Sequence, residues 1–475
     1  MMFKRLFFIL SLMFLMPVWA GKVIKVVTSA NFPPYEFHQN GQIVGVDIDI
    51  IREVLRRNGM EMVVEDMKFD SIIVAIQTGK GDIAASGLTV TEDRQREVDF
   101  SVTYVQAKQV IIVREDSDIA APQDLQGRKI GVQSGTTGDT FVTENIGNPQ
   151  RFDDASTAVA ALKSGKLDAV VLDYEPARVH VARNAGLKLL DEPLTSEEYA
   201  FAVAKGNREL LEMINKTLQE MIADGTIENI RAKYEKVTDI EVAETDPDGS
   251  FKDDLYTVFV KNARWRYLCN GLKVTLLVAF FSVILGVSIG FFVAIIRSTA
   301  DTTGKLKIAN FLCKVYLMII RGTPVVLQLL IIYFVVFGSM DVDKVLVAII
   351  AFGINSGAYV AEIIRSGIMS IDRGQMEAGR SLGLSYSKTM ILVILPQALK
   401  NVLPALGNEF IVLLKETSVC GFIALEDLTK GGDVIRSQTY NAFLPLIAVA
   451  LIYLVLVMTF SFVLEKFEKR LKKNE

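Results

Sequence analysis

The sequence GDIAASGLTVTEDR, residues Gly81–Arg94, reads as one strand of a sheet and the loop that follows it. Ile83–Ala85 is short and apolar, and Ser86–Thr89 offers backbone N–H groups and hydroxyls without bulk. Arg94 comes five residues after Thr89, where its guanidinium can form a bidentate pair with a carboxylate. Because open α/β sheets bind ligands in loops at the carboxyl ends of their strands, this stretch predicts an α/β fold with a small-molecule site.

Short apolar strands alternate with amphipathic segments on both sides of this stretch, over residues 22–254. Further strands are predicted at Val23–Thr28, Val110–Val113, Ile130–Gln133, Ala169–Leu172 and Phe201–Ala204, and helices at Val46–Asn58 and Glu209–Glu235. The alternation predicts parallel-type sheets in two lobes. We expect lobe one at about Val23–Ile111 with the closing helices, and lobe two at about Val113–Ala200. The strands near Val110–Val113 and Phe201–Ala204 would form the hinge.

Other polar and aromatic residues of this half also lie in loops near predicted strands. Phe32 lies in the loop after the first strand, and Phe69 precedes a helix. Gln133, Thr136 and Thr137 belong to a strand-to-helix turn, where backbone N–H groups commonly capture anions. These positions are candidates for the walls of a ligand site.

Asp173 directly follows the strand Ala169–Leu172, on the lobe opposite to Arg94. An arginine on one lobe and an aspartate on the other would grip an α-amino acid by both of its charges. Each residue also has an ordinary structural explanation: Arg94 as a solvated surface charge, Asp173 as a helix cap, and Phe32 and Phe69 as core. The spacing alone leaves both interpretations open.

The C-terminal half of the chain has a different composition. The net charge of the whole chain is only −4, which gives no bias toward nucleic acid. The mean hydropathy is +0.33, because Gly271–Leu464 consists largely of long apolar runs. Five segments are long enough to cross a bilayer, namely Val274–Ile296, Gly322–Met340, Val345–Ala361, Thr389–Leu414 and Ala442–Leu464. The sequence predicts a two-part chain, with a bilobed α/β domain followed by an all-α transmembrane domain of about five helices.

The N-terminus combines Lys4 and Arg5 with the apolar run Leu6–Met16 and the small residue Ala20, which indicates a secretory signal peptide at residues 1–20. An uncleaved anchor is the alternative. Either one places the α/β half outside the cytoplasmic membrane, and basic residues of the later loops and of the tail then fall on the inside. His38 and His180 have no Cys or His partner at metal-ligand spacing, so no metal and no cofactor is expected.

The α/β half resembles the polar amino-acid periplasmic binding proteins, such as the glutamine-binding proteins, over about Lys22–Glu235. The resemblance is carried by the runs Phe32–Phe37, Gly45–Asp49, Phe69–Gln77, Gly81–Arg94 and Asp99–Tyr104. It implies that Arg94 binds the α-carboxylate of the ligand with help from Gly87, Thr89 and Thr137. It also implies that Asp173 binds the α-ammonium group and that Phe32 and Phe69 flank the ligand side chain.

Three positions depart from some relatives in ways that bear on specificity. Ser29 stands where relatives that bind cationic side chains, or glutamine, often carry an Asp, and Leu172 and Gln133 replace more polar or basic residues of some relatives. Because no extra carboxylate is evident, we expect an uncharged polar side chain, of the glutamine or asparagine kind, rather than arginine or lysine.

The helical half resembles ABC importer permeases of the histidine and glutamine branch, over about Leu268–Glu465. In their cytoplasmic loop, Glu-Ala-Ala is followed by Gly and then by Ile-x-Leu-Pro. Here the loop carries Glu377-Ala378-Gly379, then Gly383 and Val393-Ile394-Leu395-Pro396. Two further motifs of the amino-acid branch are Arg321-Gly322-Thr323-Pro324 and Lys415-Glu416-Thr417-Ser418. The resemblance implies that Glu377–Gly383 forms the helix that docks on an ATPase.

The partners follow from what the sequence lacks. It contains no G-x-x-x-x-G-K-[ST] loop, so ATP hydrolysis is expected from a separate ATPase chain, and this chain is not expected to be an enzyme. A homodimer, or pairing with a similar permease, would complete the pathway. The charges Glu362, Lys400 and Glu409 would line that pathway or pair with one another.

An amino-acid-gated channel is the alternative function, since such channels use a similar bilobed domain. A sensor or a cell-wall-cleaving enzyme would need an additional signalling or catalytic domain. The expected division is signal peptide 1–20, binding domain 22–237, linker and juxtamembrane segment 238–267, transmembrane domain 268–466 and cytoplasmic tail 467–475. Within the linker, Glu241–Asp254 is expected to be a flexible tether.

Overall fold

The computed structural model describes residues 23–39, 41–190, 192–243, 251–338, 340, 342–439, 441 and 443–473. The expected signal peptide at residues 1–20 lies outside these ranges. Within them, the chain forms a bilobed α/β domain followed by a helical domain, which is the predicted fold class.

The α/β domain contains fifteen strands and eight α-helices in the described residues. In chain order they are β1 (Val23–Thr28), β2 (Asn31–Phe32), β3 (Glu36–Gln39), β4 (Gln42–Val44), α1 (Val46–Arg57), β5 (Glu61–Asp66), α2 (Ile72–Gln77), β6 (Ile83–Ala84), α3 (Glu92–Glu97), β7 (Val98–Phe100), β8 (Val105–Ala107), β9 (Gln109–Arg114), β10 (Ile130–Gln133), α4 (Thr137–Asn145), β11 (Gln150–Phe152), α5 (Ala155–Lys163), β12 (Ala169–Asp173), α6 (Tyr174–Arg183), β13 (Leu187–Leu189), β14 (Glu197–Tyr199), β15 (Ala202–Ala204), α7 (Arg208–Ala223) and α8 (Thr226–Ala243).

Lobe one is built on a five-stranded sheet with the order β5-β1-β6-β15-β7. Strand β1 runs parallel to β5 and β6, whereas β15 runs antiparallel to β6 and β7. Helix α1 covers this sheet with Ile50, Ile51, Val54 and Leu55, which recur at helical spacing and are fully buried. The predicted helix Val46–Asn58 is therefore held by its apolar face.

Lobe two is built on a second five-stranded sheet with the order β11-β10-β12-β9-β13. Strand β10 is parallel to β11 and β12, and β9 is antiparallel to β12 and β13. Both sheets thus contain parallel pairs beside antiparallel ones. In each lobe the apolar strand ends lead into loops that face the other lobe.

The hinge lies elsewhere than predicted. Of the two strands predicted to cross between the lobes, Val110–Val113 lies within β9 and Phe201–Ala204 overlaps β15. Strands β9 and β15 are each paired inside a single sheet. The connection between the lobes is instead the antiparallel pair β8 and β14, which forms a separate two-stranded ribbon. The apolar run in β9 identified a strand correctly, but it marks the middle of lobe two because both of its edges are paired.

The helical domain contains ten α-helices in the described residues. They are α9 (Phe251–Leu255), α10 (Trp265–Thr303), α11 (Lys307–Gly322), α12 (Val325–Leu330), α13 (Lys344–Met369), α14 (Arg373–Ser381), α15 (Tyr386–Thr389), α16 (Leu395–Glu416), α17 (Leu428–Thr439) and α18 (Phe443–Lys473). The predicted tether Glu241–Asp254 is helical at both ends, since α8 extends to Ala243 and α9 starts at Phe251, and residues 244–250 lie outside the described ranges.

Four helical segments of the described chain are long and apolar enough to cross a membrane, and a bent pair gives up to five spans. The four are Trp265–Asp301, Lys344–Met369, Tyr386–Ile423 and Phe443–Arg470. The bent pair, Lys307–Gly322 and Val325–Val336, turns by 111° at Thr323 and Pro324. The expected count of about five agrees, but the second span is broken, because proline cannot continue the preceding helix.

Glycines bring α10 and α13 into close contact. A Cβ placed on Gly290 would lie 2.6 Å from Cγ1 of Val360, and one placed on Gly286 would lie 2.8 Å from Oγ of Ser356. Helix α13 also has a glycine at this contact, since a Cβ on Gly353 would lie 2.6 Å from Leu285. Such small-residue faces allow membrane helices to approach backbone to backbone.

Candidate functional site

A narrow cleft lies between the two lobes. It is lined by Ser29, Asn31, Phe32, Glu36, Phe69, Ser86, Gly87, Thr89, Arg94, Gln133, Thr136, Thr137 and Asp173. The structure therefore brings together in one cleft all ten residues that were predicted to bind a ligand, together with three that were not.

Arg94 is positioned by the short helix α3, whose first turn is capped by the Thr91 hydroxyl. Its guanidinium donates one hydrogen bond to the carbonyl of Thr89 (2.9 Å) and another across the cleft to the carbonyl of Gly135 (3.0 Å). It also lies 5.4 Å from the centre of the Phe69 ring. Guanidinium carries five N–H donors, so donors beyond those two bonds can meet a ligand carboxylate.

Asp173 ends β12 on the lobe-two side of the cleft and is 6% exposed. Its carboxylate accepts a hydrogen bond from the hydroxyl of Tyr199. Burial, together with the nearby charge of Glu197, raises the pKa of Asp173 to about 7. A cationic group in the cleft would restore the charged form, which is the behaviour expected of an ammonium-binding carboxylate.

The predicted glycine and threonine residues have defined partners. The N–H of Gly87 donates to the Asp47 carboxylate (2.8 Å), so it is already engaged. A Cβ on Gly87 would lie 2.9 Å from the Phe32 ring, and its φ of +49° favours glycine. Gly87 thus leaves space for the Phe32 ring rather than offering its N–H to a ligand.

Glu197 joins the two lobes beside the cleft. Its Oε2 accepts hydrogen bonds from the hydroxyls of Thr89 (2.7 Å) and Thr137 (2.8 Å), and its Oε1 accepts one from Thr195 (2.7 Å). The hydroxyl of Thr136 instead caps α4 through the N–H of Asp139 (3.2 Å). These bonds hold the cleft in a closed arrangement.

Ser29, Asn31 and Glu36 line the cleft without having been predicted to do so, and of these Glu36 carries a carboxyl group. It is fully buried, and its Oε1 accepts a hydrogen bond from Ser86 (2.9 Å). Its Oε2 and the Oε1 of Gln133 are buried without a hydrogen-bond partner in the described part of the chain. Burial, together with the charge of Asp47, raises the pKa of Glu36 well above its ordinary value. The expectation that no extra carboxylate faces the ligand is wrong.

A signal for Glu36 was present in the sequence. It is the only ionisable carboxyl group in the otherwise apolar run Phe32–Phe37, and charged residues rarely lie inside such runs unless they have a partner.

The second predicted site lies on the helical domain. Helix α14 carries Glu377 and Ala378 on its exposed surface, and its first turn is capped by the Asp372 carboxylate (2.6 Å to the N–H of Gly374). Gly379 is buried against Thr389, and Gly383 ends the turn with a φ of +83°. Leu382 is 83% exposed at the end of this helix, so an apolar surface remains uncovered there.

The intramembrane charges have different environments. Glu362 pairs with Arg297 and, at 3.1 Å, with Arg365, at the ends of helices. Glu409 is 7% exposed and accepts a hydrogen bond from Ser356 (2.8 Å). Lys400 is exposed. Glu362 thus pairs with arginines and Glu409 bonds to a serine, so the bonds found here are not the pairing of these three charges with one another that was expected.

Comparison with protein-family models gives two matches on separate parts of the chain. Residues 24–237 match bacterial extracellular solute-binding proteins, family 3. Residues 286–473 match the binding-protein-dependent transport system inner membrane component. The first match ends within α8, the last helix of the α/β domain, and the second begins inside α10 of the helical domain.

Curated proteins similar to this chain also fall into two groups. An arginine transport system permease protein of Bacillus subtilis is 39% identical over 44% of this chain and 94% of its own length. A glutamine transport system permease protein of Escherichia coli is 39% identical over 43% of this chain and 93% of its own length. A probable histidine-binding protein of Campylobacter jejuni is 35% identical over 45% of this chain and 84% of its own length.

Proposed function

The chain belongs to the binding-protein-dependent inner membrane transport components and, through its α/β domain, to the family 3 extracellular solute-binding proteins. We propose that it captures a polar amino acid and passes it through the membrane. It is a fused binding protein and permease of an ABC importer. The observation that carries the substrate class is the cleft, in which Arg94 and Asp173 lie on opposite lobes.

The ligand is held by both of its charged groups. Arg94 receives the α-carboxylate through a charge-assisted, bidentate hydrogen bond, and Asp173 receives the α-ammonium group. Because the two groups belong to different lobes, a ligand that touches both stabilises the closed arrangement. Hinge motion about β8 and β14 then couples binding to domain closure.

The ligand side chain meets Glu36 and Gln133 between the rings of Phe32 and Phe69. Burial and the charge of Asp47 raise the pKa of Glu36 and so favour its protonated form, which can donate a hydrogen bond as well as accept one. The Glu36 carboxyl group and the Gln133 amide together offer hydrogen-bond donors and acceptors that match the side-chain amide of a ligand. A glutamine-like or asparagine-like substrate is therefore favoured, and arginine, the substrate in the printed name of one relative, is the competing candidate.

ATP hydrolysis is assigned to a separate ATPase subunit. The exposed face of α14, with Glu377 and Ala378, and the turn at Gly379 and Gly383 form the docking surface for that subunit. The apolar side chain of Leu382 extends the surface. When ATP closes the ATPase pair, motion is transmitted through α14 to the spans that follow it.

The chain is placed in the inner membrane with several spans, its binding domain outside and α14 in the cytoplasm. The division proposed is 1–20, 22–237, 238–267, 268–466 and 467–475, as signal peptide, binding domain, linker, transmembrane domain and tail. A homodimer would supply the two-fold arrangement of the pathway. The match of residues 286–473 to transport components leaves no basis for the channel alternative.

Calorimetry with the full chain in nanodiscs tests the substrate class. Glutamine, asparagine, arginine, histidine and glutamate are titrated into the wild type, into Arg94→Ala and into Arg96→Ala. Arg96 lies on the same helix but pairs with Asp93 on the exposed surface, so it is the matched control. We expect one polar amino acid to bind, with a loss of about a hundredfold or more in Arg94→Ala alone. Equal binding by both variants would contradict the carboxylate grip.

The role of Glu36 separates an amide substrate from a cationic one. A cationic side chain beside Glu36 favours its ionised form, so arginine should release more protons on binding than glutamine, while the release from Asp173 is common to both ligands. Titration in two buffers of different ionisation enthalpy measures this release. We expect Glu36→Gln to retain glutamine binding within a few-fold and to abolish arginine binding. Tight arginine binding in Glu36→Gln would rule out this assignment of the side-chain subsite.

A further inference from the structure

One helix of the helical domain contacts both lobes of the binding domain. Helix α17 (Leu428–Thr439) lies between the spans that end at Ile423 and start at Phe443. Its first turn is capped by Asp427, whose carboxylate accepts from the N–H groups of Thr429 and Lys430 (3.1 Å each). Two basic side chains of this helix, Lys430 and Arg436, leave it toward different lobes.

Lys430 pairs with lobe one. Its Nζ lies 2.8 Å from Oδ2 of Asp66, the last residue of β5, and the two side chains are 14% and 8% exposed. Asp66 also contacts Nε2 of His38 at 2.9 Å. Although burial acts to raise the pKa of Asp66, Lys430 and His38 hold it well below its usual range. The Asp66 carboxylate is therefore kept in its charged form beside the Lys430 ammonium group.

Arg436 pairs with lobe two. Its Nη2 lies 2.7 Å from Oδ2 of Asp154, the residue that caps α5, and the side chains are 10% and 11% exposed. Asp433, one turn earlier on α17, lies 3.0 Å from the same nitrogen and orients it. Removing one member of such a buried pair leaves the other charge without compensation, which is costly.

The two contacts are rigidly spaced. Lys430 and Arg436 are six residues apart on one helix, a separation of about 9 Å along its axis. Asp66 and Asp154 belong to different lobes, so their separation depends on how far the lobes have closed. Lys68 of lobe one and Asp153 of lobe two meet beside them at 2.6 Å, and the Lys68 ammonium lies 3.4 Å from the Phe422 ring.

The contacts surround a cavity between the cleft and the helical domain. Its volume is about 440 Å³, and it shares the wall residues Ser29 and Asn31 with the ligand cleft. The ligand cleft thus adjoins the cavity that α17 lines with Lys430 and Arg436.

We propose that α17 is a two-lobe clamp that holds the binding domain of the same chain only when its lobes are closed, Lys430 engaging Asp66 on lobe one and Arg436 engaging Asp154 on lobe two. The clamp rests on the proposed function, and it adds that a single helix of one chain recognises the closed state. Opening of the lobes separates Asp154 from Arg436 while Asp66 stays with Lys430.

The test uses the full chain in nanodiscs and sets lobe closure without a ligand. Asp70→Cys with Gly135→Cys, in a Cys269→Ser background, places a disulfide across the lobes, because a Cβ on Gly135 would lie 3.8 Å from the Cβ of Asp70, and reduction releases it. The readout is hydrogen exchange of the α17 amides. We expect exchange in the oxidised, closed protein to be about tenfold slower than in the reduced protein, a difference of about 1.4 kcal/mol.

Charge reversal shows whether the named pair is responsible. We expect Arg436→Glu to remove the protection in the oxidised protein, and Asp154→Arg combined with Arg436→Glu to restore most of it. The exposed lobe-two pair Arg128 and Asp118, reversed in the same way, is the control and leaves protection unchanged. Equal protection in the oxidised and reduced proteins, or no effect of Arg436→Glu, would overturn the clamp. Calorimetry with L-glutamine and L-arginine on the same samples reports separately on the proposed substrate.

Discussion

Asp173 gives ligand binding a defined pH dependence. Its pKa is raised to about 7 in the ligand-free cleft, and an ammonium group requires the ionised carboxylate. At pH values below about 7 the protein must lose a proton to bind, so the dissociation constant should rise by up to about tenfold for each pH unit. Above pH 7, Asp173 is already ionised and no longer changes the dissociation constant. Calorimetric titration between pH 5 and 8 measures the profile.

Tyr199 provides the control for this profile. Its hydroxyl donates to the Asp173 carboxylate and lowers the pKa of that group. Tyr199→Phe removes this hydrogen bond, so the inflection of the binding curve should move to higher pH while binding well above the inflection persists. A profile with no inflection in either protein would show that Asp173 does not carry the ammonium contact.

Gly379 stands where related permease loops have Ala, and this difference has a steric reason. A Cβ at this position would overlap the methyl group of Thr389, which is fully buried. Although alanine favours a helix by up to about 1 kcal/mol over glycine, the overlap should dominate, and Gly379→Ala should destabilise the chain by about 1–3 kcal/mol. Thermal unfolding measures the change.

Thr389→Ser removes the obstructing methyl group and keeps the hydroxyl that donates to the carbonyl of Ser385 (3.1 Å). The double variant Gly379→Ala with Thr389→Ser should therefore recover most of the lost stability. If Gly379→Ala alone were as stable as the wild type, the close packing of α14 on Thr389 would be refuted.

At the level of residues, the sequence predicted the cleft well because its members follow strand ends. Arg94, Asp173 and the hydroxyl residues lie where a parallel sheet places its loops, and local pattern is enough to find them. Glu36 escaped because its role depends on a tertiary neighbour: Ser86 lies fifty positions away in sequence and holds the carboxylate in the wall. The engagement of the Gly87 N–H by Asp47 was equally invisible to local reasoning.

Among the elements, the glycine faces of α10 and α13 are the most sensitive contact. Gly290→Leu would drive a side chain into Val360 and the backbone of Ala361, whose nitrogen lies 2.8 Å from the Cβ position. We expect this variant to lose the folded helical domain or to unfold at a much lower temperature. Ser288→Leu, on the exposed side of α10 two positions away, is the control and should be tolerated. Similar stability of both variants, measured by thermal unfolding in detergent, would argue against close packing there.

Element type was more predictable than element role. Apolar runs located the spans and the six strands β1, β6, β9, β10, β12 and β15, because burial on both faces or in lipid requires such runs, but the other nine strands of the described chain were not predicted. Apolar runs did not distinguish a strand inside one sheet from a strand that crosses between lobes, so the hinge was misplaced. The break at Pro324 was visible in the sequence, but the 111° turn depends on how α12 packs against its neighbours.

For the whole molecule, the covalent link between the domains should govern docking. A protease site introduced within residues 244–250 of the full chain would turn an intramolecular contact into a bimolecular one. Short tethers give effective concentrations in the millimolar range, so after cleavage at micromolar concentration or below the binding domain should dissociate and α17 should lose its protection from hydrogen exchange.

Adding free binding domain or salt after cleavage identifies why α17 loses its protection. Excess free binding domain should restore the protection of α17, and added salt should oppose this by screening the charged contacts. Protection that survives cleavage at every dilution would mean that the domains are held by contacts stronger than the described charge pairs.

At this scale the composition of the sequence was sufficient to separate two domains, since a soluble half and an apolar half differ along their whole length. The arrangement of one on the other was not predictable. Lys430 and Arg436 are ordinary charges in the sequence, and only the fold shows that each is opposite a carboxylate of a different lobe.

The short connection between α8 and α9 also limits the rate at which one pathway can transport solute. From Ala243 to Phe251 the backbone extends to about 28 Å at most, less than the roughly 40 Å width of a compact domain of this size. Each binding domain therefore stays with the permease domain to which it is joined, so the assembly fixes the number of tethered binding domains for each pathway. Under the proposed function, maximal flux is set by how fast these tethered domains release and recapture solute, while at low solute levels no delivery is lost to diffusion of a loaded binding domain toward a permease.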